Sequence, residues 1–62
     1  MDPSDRFLST EELSELLGVA VPTIYNWRTK RIGPRGIKIG RATKYRVREV
    51  ERWLAEKERA AA

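Results

Sequence analysis

Apolar residues recur with helical spacing near the start of the chain. Residues 9–12 (Ser-Thr-Glu-Glu) fit a capping box, and three leucines follow at helical intervals: Leu13, Leu16 and Leu17. Gly18 suits the C-terminal cap of this helix. The pattern predicts one helix over 10–17 and a second over 21–30, in whose first turn Pro22 loses no hydrogen bond.

Two short alternating runs come next, after a connector at 33–36 that is rich in glycine and proline. They predict a β-hairpin over 37–45 with its bend at 40–42. The alternation gives the hairpin an apolar face and a cationic face: Ile37, Ile39 and Tyr45 against Lys38 and Lys44. Helical spacing resumes over 47–58, and the tail at 60–62 is expected to fray.

This order of elements predicts an α+β fold, a small winged helix-turn-helix with three helices and a two-stranded hairpin wing. We expect a single domain over 1–62. The apolar residues suffice for one thin core and leave none to enclose a substrate pocket. They are Leu8, Leu13, Leu16, Leu17, Val19, Ile24, Trp27, Ile37, Ile39, Tyr45, Val50, Trp53 and Leu54.

The composition argues against catalysis. The chain has no Cys and no His, which removes disulfides, ordinary zinc sites and the commonest general base. We therefore expect no enzyme, no metal and no cofactor. The first five residues are acidic and polar, unlike a signal peptide, and no apolar run approaches membrane-spanning length. A cytoplasmic protein is expected.

Charge is distributed unevenly along the chain. Residues 21–48 contain nine Lys or Arg and no acidic residue, whereas residues 1–20 contain five acidic residues and one Arg. This separation favours a polyanionic partner over an ordinary solvated face. An anionic membrane surface is the rival, but the glycines and prolines of 21–48 prevent one long amphipathic helix. Nucleic acid is therefore the expected partner, without a membrane.

The second predicted helix has an apolar and a polar side. At 100° per residue, Ile24 and Trp27 fall together and face the core. The other side and its margins carry Pro22, Thr23, Tyr25, Asn26, Arg28, Thr29 and Lys30. A groove-reading helix has this layout, with short polar groups at base edges and cations at phosphates. For any one of these residues, a solvated helix face is the alternative.

Asn26 and Tyr25 are the two residues of this helix best suited to contact bases. The Asn26 amide can form two hydrogen bonds to adenine, so this residue is the best base-edge candidate. Tyr25 could pack on a thymine methyl or bond a phosphate.

Many of these residues belong to a recognisable pattern. It comprises Leu8-Ser9-Thr10-Glu11-Glu12-Leu13, Leu17-Gly18-Val19, Val21, Thr23-Ile24-Tyr25, Trp27, Gly33-Pro34-Arg35-Gly36, Tyr45-Arg46, Val50 and Trp53-Leu54. In this pattern the chain resembles the excisionase-type, MerR-like winged-helix proteins of phages and mobile elements, over roughly residues 7–56. It also fits the general helix-turn-helix pattern, with a small residue at Ser14 and Gly18 at the turn.

The resemblance implies that the second helix enters the major groove and that the wing reaches the neighbouring minor groove. It implies DNA contacts by Thr23, Tyr25, Asn26 and Arg28 in the helix and by Arg41, Thr43 and Lys44 in the wing. An A·T-rich minor groove would attract Arg41. Pro22, Thr29 and Lys30 complete the predicted site.

The chain departs from the family pattern in two places. Family members often have Ser where this chain has Ala20, which removes a side-chain cap from the second helix. Their wings often carry more cations, or a His, at the positions of Ala42 and Thr43. The second departure affects how strongly the wing would bind DNA, and not whether it contacts DNA.

The role implied by the resemblance is that of an excisionase. Such a protein binds double-stranded attachment-site DNA with an integrase and favours excision. A small MerR-like transcriptional regulator is one alternative, and a protein-interaction adaptor with an acidic partner is another. The apolar positions of the third helix are all needed for the core, so we expect a free monomer. On DNA, several copies would pack head to tail, acidic residues 1–20 against the basic wing.

Three further features have competing interpretations. Tyr25 and Tyr45 could suggest a recombinase nucleophile, but such enzymes need a far larger catalytic domain. Trp27 and Trp53 could stack on bases, yet both lie on apolar helix faces, which favours the core. The connector at 33–36 lacks the residues of a nucleotide loop and is predicted to be a stiff link, with Arg35 near the DNA backbone.

Overall fold

The computed structural model describes residues 6–61 and has the predicted α+β fold class. Its elements are β1 (Phe7–Ser9), α1 (Thr10–Leu17), α2 (Val21–Lys30), β2 (Gly36–Ile39), β3 (Ala42–Arg46) and α3 (Val47–Ala61). α1 and α2 have the ranges that the helical spacing predicts. α3 is longer than expected, because Ala60 and Ala61 are helical. Ala62 and the acidic residues of 1–5 lie outside the described residues.

The sheet has three antiparallel strands in the order β1-β3-β2, one more than the two-stranded hairpin that the sequence predicts. Phe7 lies opposite Arg46, and Ser9 lies opposite Lys44. The Val47 N–H extends this pairing by donating to the Arg6 carbonyl at 3.0 Å. A strand as short as β1 shows too little alternation to be predicted, and its partner is distant in sequence.

The hairpin loop has two residues, and this changes which side chains share a face. Gly40 opens the loop with a φ of +63°, which suits the first residue of a tight hairpin turn. Ile39 then lies opposite Ala42, and Ile37 lies opposite Lys44. The prediction that Ile37 and Ile39 share the face of Tyr45 was wrong. It assumed a three-residue bend, and a shift of one residue moves a strand's side chains to the other face.

The buried core takes one large residue from each of four elements. Leu13 of α1, Ile24 of α2, Tyr45 of β3 and Val50 of α3 are each at most 1 % exposed. Other partly buried residues surround them: Leu8, Leu17, Val19, Trp27 and Leu54. Three residues assigned to the core from the sequence are instead exposed: Leu16, Ile37 and Ile39. The core is therefore thinner than expected.

Backbone caps position α1 and the turn that follows it. Ser9 and Glu12 form the predicted capping box, with hydrogen bonds of 2.8 and 3.0 Å. Gly18 ends α1 with a φ of +69°, and its N–H donates to the Ser14 carbonyl. The Ser14 hydroxyl donates to the Val19 carbonyl, which holds the turn against α1. This turn sets the direction in which α2 leaves.

The sheet also has a face that points away from the core. This outer sheet face carries the exposed rings and side chains of Phe7, Ile37 and Ile39, with Lys44 and Arg46 between them. The Arg46 guanidinium lies 5.0 Å from the centre of the Phe7 ring. This arrangement covers the ring only partly, so the outer sheet face remains apolar and cationic.

Candidate nucleic-acid interface

α2 is anchored on one side and exposed on the other. Ile24 is fully buried, and Trp27 packs against the core. Six of the predicted site residues on this helix are exposed: Pro22, Tyr25, Asn26, Arg28, Thr29 and Lys30. Thr23 is half-buried. The burial pattern therefore leaves a polar helix surface facing outward.

The two ends of α2 are held by its backbone. Ala20 occupies the N-cap with extended dihedrals and forms no side-chain cap bond. At the other end, Arg31 adopts a left-handed conformation with a φ of +58°, and its N–H donates to the Arg28 carbonyl at 3.2 Å. The helix thus ends at Lys30, as predicted, and before the 33–36 connector begins.

An open cleft of about 400 Å³ separates α2 from the hairpin. We call it the wing cleft. Five predicted site residues line it: Tyr25, Arg28, Arg41, Thr43 and Lys44. The other five predicted residues do not line it: Pro22, Thr23, Asn26, Thr29 and Lys30. They belong instead to the outward surface of α2.

Two local contacts on α2 influence what its side chains can do. The Arg28 guanidinium lies 5.6 Å from the centre of the Tyr25 ring, so the two side chains stack. The Thr29 hydroxyl donates to the Tyr25 carbonyl at 3.2 Å. In this arrangement the Thr29 hydroxyl donates within the helix and has its lone pairs free to accept a hydrogen bond from a ligand.

The wing cleft contains a cation, Lys38, that is not among the predicted site residues. Lys38 lies opposite Thr43 in the hairpin, on the face of Tyr45, and lines the cleft. Ser9, Thr10 and Glu11 of β1 and α1 also contribute to the lining. A two-residue count for the Gly40-Arg41 loop would have placed Lys38 correctly.

The side chains that line the wing cleft have a net positive charge. Arg28, Lys38, Arg41 and Lys44 line it, against the single carboxylate of Glu11. The pKa of nearby Glu12 is lowered mainly by its hydrogen bonds with the Ser9 backbone and hydroxyl, and further by the charges of Lys44 and Arg6. Lys44 therefore has an acidic neighbour as well as access to a ligand.

Tyr45 lies behind the interface. Its ring is fully buried, and its hydroxyl forms no hydrogen bond with the described residues. Burial raises the pKa of Tyr45 above the ordinary value of 10.0, and the charge of Arg28 and the neighbouring Thr10 side chain partly oppose this increase. The residue acts as packing beneath the site and is inaccessible as a nucleophile.

The two tryptophans pack against one another instead of facing outward. Their ring centres are 5.4 Å apart, and the Trp53 indole N–H donates to the Ile32 carbonyl at 3.0 Å. Gly33 lies so close to Trp27 that an added Cβ would be 3.0 Å from the Trp27 Cβ. Packing therefore accounts for both residues, as their apolar positions predict.

The described residues also bear on metal binding and on membrane insertion. Across residues 6–61, no group of three or more His, Cys, Asp or Glu side chains is arranged to hold a metal ion. None of the helices in this range has the length and apolar character needed to cross a membrane.

Comparison with known families supports the helix-turn-helix interpretation. The sequence model of a family described as a helix-turn-helix domain matches residues 7–58. The matched range includes both helices of the helix-turn-helix, the hairpin and most of α3. No curated protein and no solved structure matches the chain.

Proposed function

Since the chain belongs to a helix-turn-helix domain family, and is therefore a DNA-binding module, we propose that α2 reads the major groove of duplex DNA while the hairpin contacts the adjacent minor groove. The observation that carries this proposal is the wing cleft, in which α2 and the hairpin present cations towards the same space. A phosphate strand between the two elements would be contacted from both sides.

The chemistry of each residue suggests its role at the DNA. Asn26 is exposed on α2 and can form the paired hydrogen bonds that adenine accepts and donates. Arg28 lines the cleft, Lys44 lies at its edge with its side chain on the outer sheet face, and both suit phosphates. Arg41 occupies the exposed hairpin tip, where a guanidinium can enter a narrow, electronegative minor groove. All four roles are binding roles, without catalysis.

The biological role proposed for this module is excision of a mobile DNA element. The matched family includes excisionase-like DNA-binding domains, and the motif residues quoted above resemble those of excisionases. In this role the protein binds attachment-site DNA together with an integrase and favours the excisive reaction. Several copies would bind side by side, because one recognition helix contacts too few base pairs for high specificity.

Footprinting on the DNA that flanks the gene tests this role. Protection inside an attachment site beside an integrase gene is the expected result, and protection confined to a promoter would assign a transcriptional regulator instead. Affinity for random duplex DNA should fall steeply with salt. For each phosphate contact, a tenfold increase in salt concentration should lower the logarithm of the association constant by about 0.9. An adaptor for an acidic protein would show no DNA binding.

A further inference from the structure

A second opening lies beside the C-terminal end of α2. This loop cleft, of about 360 Å³, is enclosed by α2, the 33–36 connector and the hairpin. Four cationic residues line it, and no acidic residue does: Arg28, Arg31, Arg35 and Lys38. Of these, Arg31 and Arg35 do not line the wing cleft.

The loop cleft lacks a compensating negative charge. Within residues 6–61, the side chains of Arg31, Arg35 and Lys38 form no ion pair. Like charges around one concave surface repel each other and focus a positive potential into it. An anion bound between them would relieve that repulsion, and the planar guanidinium forks suit the oxygens of a phosphate.

Close packing fixes the walls of the loop cleft. An added Cβ at Gly36 would lie 2.8 Å from the Thr43 Cγ2, and at Gly33 it would contact Trp27. Pro34, between these glycines, is buried. The connector therefore lies tightly against α2 and the hairpin, and this packing fixes the shape of the cleft.

We propose that the loop cleft binds a phosphate group supplied by the DNA backbone beside the groove that α2 reads. Arg28, Lys38 and Thr43 line both clefts, so the two openings adjoin. A nucleic-acid strand held at the wing cleft therefore has phosphates near the loop cleft. This inference rests on the proposed DNA contact of α2. It adds Arg31 to the interface and gives Arg35, which the sequence predicts near the DNA backbone, a defined phosphate site.

The test measures the affinity of the Arg31→Gln/Arg35→Gln variant for a random-sequence duplex over a range of salt concentrations. The salt slope is the slope of the logarithm of the association constant against the logarithm of the salt concentration. Losing two phosphate contacts should make this slope shallower by about two units. At 0.1 M salt, each lost contact should weaken binding by about eightfold. Arg35→Gln alone, in the exposed connector, should show half of the change in slope.

Arg59→Gln in the last turn of α3 is the matched control for Arg35→Gln, because each removes one positive charge and Arg59 lies outside both clefts. It should leave the salt slope nearly unchanged, and thermal unfolding should show that each variant is folded. If Arg59→Gln changes the slope as much as Arg35→Gln does, the loop cleft is not a site and the proposal is overturned.

A second arm distinguishes backbone phosphate from the phosphate of a free nucleotide. Pyrophosphate is titrated while the Trp27 indole, which lines the loop cleft, is followed by NMR. A shift that the double variant abolishes, together with an unchanged DNA slope, would assign the phosphate to a free nucleotide and overturn the backbone source. An unchanged slope without any shift would overturn the whole inference. Failure of wild-type DNA binding would instead contradict the proposed function.

Discussion

Asn26 and Lys44 allow sequence recognition to be separated from general attraction to DNA. Asn26→Ala should weaken binding to the specific site by about 1–3 kcal/mol and relax the preference at one or two base pairs. Lys44→Ala should weaken binding to all duplexes similarly and make the salt slope shallower by about one unit. Gel shifts on specific and random duplexes measure both effects. Unchanged specific binding in Asn26→Ala would contradict the proposed orientation of α2.

The buried phenol of Tyr45 makes the stability of the fold depend on pH. Because its pKa is raised by burial, the unfolded chain loses the phenol proton near pH 10.0 while the folded protein keeps it. Stability should therefore fall as the pH rises above 10.0. Tyr45→Phe should remove this contribution and cost little stability at neutral pH, since the hydroxyl has no partner among the described residues.

Urea unfolding at neutral and alkaline pH measures the effect of Tyr45→Phe. Tyr25→Phe is the matched control, because its ring is half-exposed on α2 and it should keep the wild-type response to pH. Equal alkaline destabilisation of Tyr45→Phe and the wild type would show that another group is responsible.

Individual positions in the hairpin mark the limit of prediction at the residue scale. The exposed and buried sides of α2 could be predicted from residue spacing alone. The helical repeat fixes the side on which each residue lies, and it does not depend on pairing with another strand. The face of each hairpin residue depends also on the number of loop residues. A loop of three residues instead of two would put Ile37, and not Lys38, on the face of Tyr45. Lys38 was thereby missed as a cleft residue, although its type and position in the sequence were plain.

The two helices of the helix-turn-helix differ in their N-terminal caps. Ser9 caps α1 with its side chain, whereas Ala20 caps α2 only with its backbone. Ser9→Ala should cost about 1 kcal/mol, and Ala20→Ser should stabilise the domain by a similar amount because Ala20 already has extended dihedrals. Chemical unfolding of both variants measures these changes. Ala20→Val, which adds no acceptor, should bring no gain.

Packing between elements is tested at Trp27. Trp27→Ala should cost roughly 3–5 kcal/mol, because it removes the contacts with the core and with Trp53. A domain of this size is stable by only a few kcal/mol, so the variant should be largely unfolded. Leu16→Ala is the matched control, since Leu16 is 60 % exposed and its loss should change stability by less than about 0.5 kcal/mol.

Circular dichroism distinguishes the two interpretations of Trp27. A Trp27→Ala protein that stays folded and loses only DNA binding would contradict the packing role and support base stacking.

Elements with local signals were predicted well, and those that depend on distant partners were not. The capping box, Gly18 and Pro22 define the limits of α1 and α2 within a few residues of sequence. β1 becomes a strand only because Phe7–Ser9 meets Tyr45 and its neighbours from far along the chain. Leu16 fits the helical period of α1, but no element within residues 6–61 packs over it, so sequence spacing alone could not show that it is exposed.

At the scale of the whole molecule, two surfaces are complementary. The outward side of α1 carries Glu11, Glu12 and Glu15 around the exposed Leu16. The outer sheet face carries apolar side chains among Lys44 and Arg46. One copy could place its α1 against Ile37 and Ile39 on the edge strand β2 of the next copy, which leaves Lys44 of the central strand for DNA and would repeat in one direction along DNA. The domain extents of 37 × 30 × 19 Å suit a repeat of about one helical turn, about 34–36 Å.

This arrangement predicts a free monomer and cooperative binding to directly repeated sites. Sedimentation should show a monomer, and gel shifts should show tighter binding to several repeats than to one. Leu16→Ser and Ile39→Ser should each reduce the cooperativity while leaving single-site affinity unchanged, because they alter the contact between copies and not the DNA contacts of α2. A stable free dimer or a strictly palindromic footprint would contradict head-to-tail assembly. Either result would favour a two-fold symmetric regulator, since a symmetric dimer requires inverted half-sites.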